Sequence, residues 1–117
     1  MWADRFYGAS RLTQADVPRG HSAVGQGRAD VIAKIADIDV IVGGHSHTLL
    51  SNTDPKAEGP YPTFVDNAGG YKVPVVTANA YSKYLGEVTI TFDDNGVVKS
   101  AKGDPILVDK TFAPDQA

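Results

Sequence analysis

Residues 38–47 read Ile38-Asp39-Val40-Ile41-Val42-Gly43-Gly44-His45-Ser46-His47, and the fold turns on them. Val40, Ile41 and Val42 form an unbroken apolar, β-branched run, the composition of a strand buried on both faces. Gly43 and Gly44 then stop the strand, because a backbone without Cβ turns freely. His45 and His47 follow two residues apart, where a strand-like backbone sends both imidazoles to one side. A rigid strand that ends in glycines and delivers two histidines at its carboxyl edge suits a metal site. The same letters also suit an ordinary turn whose histidines sit in solvent, and the residues alone leave both readings open.

Upstream, the pattern is helical from about Gln26. Ala29, Ile32, Ala33 and Ala36 fall at helical spacing, with Asp30 early and Lys34 late to suit the helix dipole, and Asp37 at the end. A helix feeding directly into a buried strand is half of an α/β unit. In such sheets functional groups gather beyond the carboxyl ends of the strands, where Gly43–His47 belong. His21 lies earlier, in the glycine-flanked loop RGHSAVGQG. Taken by itself it reads as a solvent-exposed loop histidine. Met1–Gly20 shows no period: Trp2, Phe6, Tyr7, Leu12 and Val17 are scattered. A short helix around Ala3–Tyr7 is one reading of that stretch, and aromatics covering a surface is another.

Downstream, Thr48–Pro62 is a long loop punctuated by Ser, Asn, Asp, Pro and Gly, which reads equally as the border of a site and as a mobile surface excursion. Thr63–Val65 and Lys72–Thr77 flank Asp66–Gly70 as a hairpin, with Pro74 pointing to an edge or irregular position. Glu87–Phe92 alternates Val88, Ile90 and Phe92 against polar neighbours, so one face is expected to be buried. Asp93-Asp94-Asn95-Gly96 is the clearest turn, with Asn-Gly suited to positive φ at both central positions. Val97–Ala101 returns from it, Ile106–Val108 adds a short last strand, and Asp109–Ala117 is a tail. The expected class is mixed α/β: one main helix, a buried strand, then a mostly antiparallel β segment.

Composition narrows the function classes. At 117 residues the chain holds one domain with a modest core. Hydrophobic content of 42% with 21% charged residues is that of a globular protein. A net charge of −3 without a basic cluster argues against a nucleic-acid polymer as partner. No apolar run reaches membrane-spanning length, and Met1–Gly20 lacks the basic-then-apolar pattern of a signal peptide. With no cysteine, a metal site here would use histidine, carboxylate, amide or water.

Two blocks, IDVIVGGHSHT and VPVVTANAYSKYLGEVTITFDDNGVV, in this order and spacing, resemble the 5′-nucleotidase branch of the calcineurin-like metallophosphoesterases. The resemblance runs from about His21 to Asp115. It implies a share of a four-layered αββα sandwich that carries two divalent metals at strand ends. It assigns His45 to one metal and His47 to the other. It also assigns His21, which stands 24 positions before His45, as the ligand from the preceding loop. The implied activity is phosphoester hydrolysis of a phosphate-ester or nucleotide substrate, in a periplasmic or extracellular setting. The family's bridging aspartate, Asp-x-His pair, Gly-Asp and Asn-His-Asp/Glu motifs have no counterpart in Met1–Gly20, and its nucleoside-binding domain is missing too.

The chain therefore resembles the C-terminal half of a catalytic domain. Residues 1–20 form an irregular segment, 21–110 a partial metallophosphoesterase domain and 111–117 a tail. Three imidazoles without a carboxylate bridge suit at most one divalent ion, Zn²⁺, Mn²⁺ or similar. No catalytic or substrate-binding residue is assigned. A homodimer or a complementing N-terminal half is the implied partner, and Asp54, Glu58 and Asp66 are the carboxylates that the long loop and hairpin bring into consideration. Two other functions fit the same letters: a stand-alone single-metal hydrolase or metal-binding module, and a non-catalytic oligomerising domain with a relic GHSH loop.

Overall fold

The computed structural model describes residues 6–8, 33–35 and 38–116. Four strands, β1 (Phe6–Gly8), β2 (Val40–Val42), β3 (Thr63–Asp66) and β4 (Lys72–Val76), form one sheet in the order β1-β2-β4-β3. β1, β2 and β4 run parallel, and β3 returns antiparallel to β4. A long hairpin, β5 (Tyr84–Phe92) with β6 (Val98–Leu107), makes a second, two-stranded sheet.

The apolar run expected to be a doubly buried strand is one. Val40 and Ile41 are buried, and β2 lies between β1 and β4. Ile41, Val73 and Val75 cluster with Ala33 and Ile38 on one face of the sheet, with Val65 packed alongside. On the other face Val76 joins Leu50 and Tyr61, with Val42 and Val88 against them, so this second cluster ties the sheet to the β5–β6 hairpin. Each such aliphatic side chain, once buried, contributes about 1.5–3 kcal/mol.

Several expectations need correction. Among the described residues there is no helix, and the main helix is not borne out. Of its span only residues 33–35 are described, as a turn and bend, and the remainder lies outside the described residues. The short helix around Ala3–Tyr7 is also replaced at its end, because Phe6–Gly8 pair in parallel with Val40–Val42. A three-residue edge strand leaves no periodic signal of its own.

Pro74 lies in an interior strand and is fully buried. The Asn67 N–H bonds the Tyr71 carbonyl at 2.8 Å, and counting back through the register makes Phe64↔Pro74 a non-hydrogen-bonded pair. The missing proline N–H therefore costs β3 nothing, and the β2 ladder engages β4 only from Val75 onward. Ala101 and Ile106 belong to one continuous strand rather than two. In the Asp93–Gly96 turn only Gly96 has positive φ (79°), because the Asp93 carboxylate accepts the Asn95 and Val97 N–H groups and stabilises a different turn.

The long loop is stapled to the hairpin. The Asn52 side chain brackets the Tyr61 backbone, accepting its N–H at 3.1 Å and donating to its carbonyl. The Asn52 N–H and the Thr53 hydroxyl donate to the Asp104 carboxylate at 2.9 and 2.6 Å. The Tyr84 hydroxyl donates to Asp54 at 2.7 Å, which lowers the Asp54 carboxyl from its ordinary value and raises the Tyr84 phenol.

Candidate functional site at the carboxyl ends of the parallel strands

Because β2 and β4 are parallel, the turns that leave them emerge at the same sheet edge. From β2 come Gly43 to Thr48, and from β4 come Thr77 to Ser82. Backbone bonds lock the two turns together. The Gly43 N–H reaches the Val76 carbonyl at 2.7 Å, the Asn79 N–H reaches the Thr48 carbonyl at 3.0 Å, and Leu49 bridges Ala78. The Ser46 and Thr48 hydroxyls meet at 2.8 Å across the turn.

Backbone strain concentrates in these two turns. His45 (φ 67°), His47 (59°), Asn79 (64°), Tyr81 (58°) and Ser82 (55°) all adopt left-handed conformations without being glycine. Each such residue costs on the order of 1 kcal/mol and persists only where its surroundings over-determine it. The expectation that a strand-like backbone carries His45 and His47 to one side is thus corrected. The strand ends at Val42, and each histidine is placed by its own left-handed turn residue.

Both imidazoles are exposed to solvent. The His47 ring stands edge-on to Tyr81, with ring centroids 5.0 Å apart and planes at 72°. Beside the turn a cleft of about 290 Å³ opens between the sheet and the hairpin, lined in part by Gly43, Tyr61, Thr77 and Asn79. Burial, reinforced by the Glu87 and Asp104 carboxylates, pushes the Tyr61 phenol up to about 12.

The two histidines fit a divalent metal in kind, since neutral imidazole is a common zinc donor, but they are half of a tetrahedral donor set. Among the described residues no group of three or more His, Asp or Glu side chains converges. His21 lies outside the described residues. Asp54 is engaged by Tyr84 and by the Lys56 N–H, Asp66 pairs with Lys72 at 2.8 Å, and Glu58 is exposed in the long loop. Sequence reasoning missed Tyr81 and Asn79. Glycine is the usual signature of left-handed backbone, and the stretch Ala78-Asn79-Ala80-Tyr81-Ser82 contains none.

No family model matches the chain. Individual proteins do. A snake venom 5′-nucleotidase of Crotalus adamanteus is 39% identical over 116 residues, 92% of this chain and 20% of that protein. The 5′-nucleotidase of Rattus norvegicus is 40% identical over 102 residues, 84% of this chain and 18% of that protein. An apyrase of Aedes aegypti is 42% identical over 87 residues, 68% of this chain and 16% of that protein. Among solved structures, a 5′-nucleotidase precursor from Thermus thermophilus superposes with a TM-score of 0.68 at 40% identity, covering 73% of this chain and 18% of that one. The NAD nucleotidase of Haemophilus influenzae gives 0.66 at 31% identity, covering 71% of this chain and 16% of that one. The chain spans about a fifth of the length of these curated relatives.

Proposed function

This chain belongs to the 5′-nucleotidase family, and we propose that it forms part of the catalytic domain of a metal-dependent phosphoester hydrolase, the C-terminal half, which acts on nucleotides or related phosphate esters. The observation that carries this reading is the GGHSH turn. It sits at the carboxyl end of a buried parallel strand, held in left-handed backbone and locked to the neighbouring turn. Strain of that kind in a solvent-exposed turn adds nothing to stability and clusters at working sites, which supports this reading.

In this reading His45, His47 and His21 are the metal ligands. A divalent ion bound by them would supply Lewis-acid polarisation of a phosphate ester. The chain's own residues hold and aim the imidazoles: the Thr48–Asn79 bond fixes the turn, and Ser46 and Thr48 brace it. The remaining donors come from a complementing N-terminal half or from a second copy of the chain. A single-metal reading has three imidazoles bind one ion and leave a position for water.

The test is metal uptake at near-neutral pH, where imidazoles are free to ligate. The purified chain is expected to bind Zn²⁺ or Mn²⁺ stoichiometrically and to lose that binding in the His45→Ala/His47→Ala double variant. Hydrolysis of a generic phosphate ester is expected only when a complementing N-terminal half of the catalytic domain is supplied with it. Turnover by the chain alone, lost on chelation, supports the single-metal reading instead. A folded chain that takes up no metal in either state defeats both.

A further inference from the structure

Tyr81 is hard to explain as a structural residue. Its backbone is left-handed (φ 58°), a conformation that penalises any bulky side chain, and its neighbour Ser82 is left-handed as well (55°). Strain in a folded protein is normally offset by burial, yet Tyr81 is 90% exposed and regains almost nothing that way. What the strained backbone does achieve is to set the phenol ring against the His47 imidazole, 5.0 Å between centroids and at 72°. That is the edge-to-face geometry aromatic pairs favour. The two rings ride on separate turns, one after β2 and one after β4. The Asn79 N–H to Thr48 carbonyl bond and the Leu49–Ala78 bridge fasten those turns close to both rings. These bonds fix the spacing of the two backbones that carry the rings.

We propose that Tyr81 is a positioning residue for His47: its ring limits the imidazole to one orientation and so aims the ring nitrogens at the sheet edge. An exposed histidine otherwise samples several rotamers and must give them up when it ligates. A braced one has already done so. The use to which the aimed imidazole is put rests on the metal-site reading above, while the bracing itself does not. An edge-to-face pair corresponds to roughly a threefold to tenfold effect on an equilibrium.

The experiment uses the whole chain, isotope-labelled, and follows the His47 ring by NMR in wild type, Tyr81→Leu and Tyr81→Phe, with His45 as internal control. Tyr81 is exposed, so the leucine variant is expected to fold. In Tyr81→Leu the His47 ring-proton shifts are expected to collapse toward free-histidine values and its χ1 couplings to average. His45 stays unchanged and Tyr81→Phe behaves as wild type. Titration with Zn²⁺ is then expected to show affinity about threefold to tenfold weaker in Tyr81→Leu and restored in Tyr81→Phe. A His47 ring indifferent to Tyr81→Leu overturns the proposal, and so does unchanged Zn²⁺ affinity in a wild type that binds the ion. If wild type takes up no Zn²⁺ but the ring signals move as described, the bracing is supported and the metal-site reading is what fails.

Discussion

Gly103 is the position where the smallest change is expected to do the most damage. It faces Val88 in the β5–β6 register, and a Cβ built there would lie 2.0 Å from the Glu87 carbonyl oxygen and 3.0 Å from the Val88 Cα. Carbon and oxygen in close contact stand about 3.3 Å apart, so Gly103→Ala forces the strands apart by about 1.3 Å. The obstacle is backbone and cannot rotate aside. A displacement of that size stretches the two flanking ladder bonds beyond hydrogen-bonding range, at about 0.5–1.5 kcal/mol each. It also strains the bond from the Asn52 side chain to the Gly103 carbonyl. The total is about 2–4 kcal/mol, a large share of the stability of a small domain. Gly70→Ala is the control: its φ of 81° is strained for alanine, but nothing lies within 4 Å, so about 1 kcal/mol is expected. Urea unfolding followed by circular dichroism measures both, and hydrogen exchange at β5 and β6 locates the loss. A Gly103→Ala variant as stable as Gly70→Ala would show that the hairpin yields easily and that this steric reasoning is wrong.

Two further outcomes follow from buried polar groups. The Thr77 hydroxyl is buried and lacks a hydrogen-bond partner among the described residues. Thr77→Val keeps the shape and removes the unsatisfied group, so stability is expected to hold or rise by about 1 kcal/mol in urea titration, and a clear loss would reveal a partner. Tyr61 is held neutral by burial beside Glu87 and Asp104, its phenol pushed from 10.0 to about 12. The stability this confers is complete below pH 10 and is lost as pH rises toward 12, because the unfolded chain ionises first. Phenolate absorbance should therefore show, besides the Tyr84 phenol that Asp54 holds up, a late tyrosine phase that coincides with unfolding, and Tyr61→Phe removes that phase.

Much of the sheet was legible because its signals are local. Val40–Val42 announces a buried strand by composition, Thr63–Val65 and Lys72–Thr77 announce a hairpin through the Asp66–Gly70 connection, and Glu87–Phe92 alternates as a half-buried strand does, although that strand starts three residues earlier, at Tyr84. What failed depended on neighbours distant in sequence. Pro74 reads as an edge residue until the register shows that its missing N–H falls at a non-hydrogen-bonded pair. Phe6–Gly8 reads as aperiodic until Val40–Val42 pairs with it. At the site, the letters of the GGHSH turn marked the right place and gave the wrong backbone. Spacing of two implies a shared face only in a strand, and here each histidine is left-handed.

The same contrast explains how the site is maintained. Left-handed histidine, asparagine, tyrosine and serine would each relax if their turns were free. They are held because the carboxyl ends of β2 and β4 are fixed by the sheet, and because Thr48 and Asn79 join the turns across the gap. The sheet in turn depends on both clusters, one on each face, and the second takes Val88 from the hairpin, which bonds from Asn52 and Thr53 to Asp104 help to hold. Strain at the imidazoles is thus supported by a chain of contacts that runs through the long loop to the hairpin. Loosening the hairpin, as Gly103→Ala does, is for that reason expected to free the His47 ring as well as to lower stability, although Gly103 lies in β6, far along the chain from the turn.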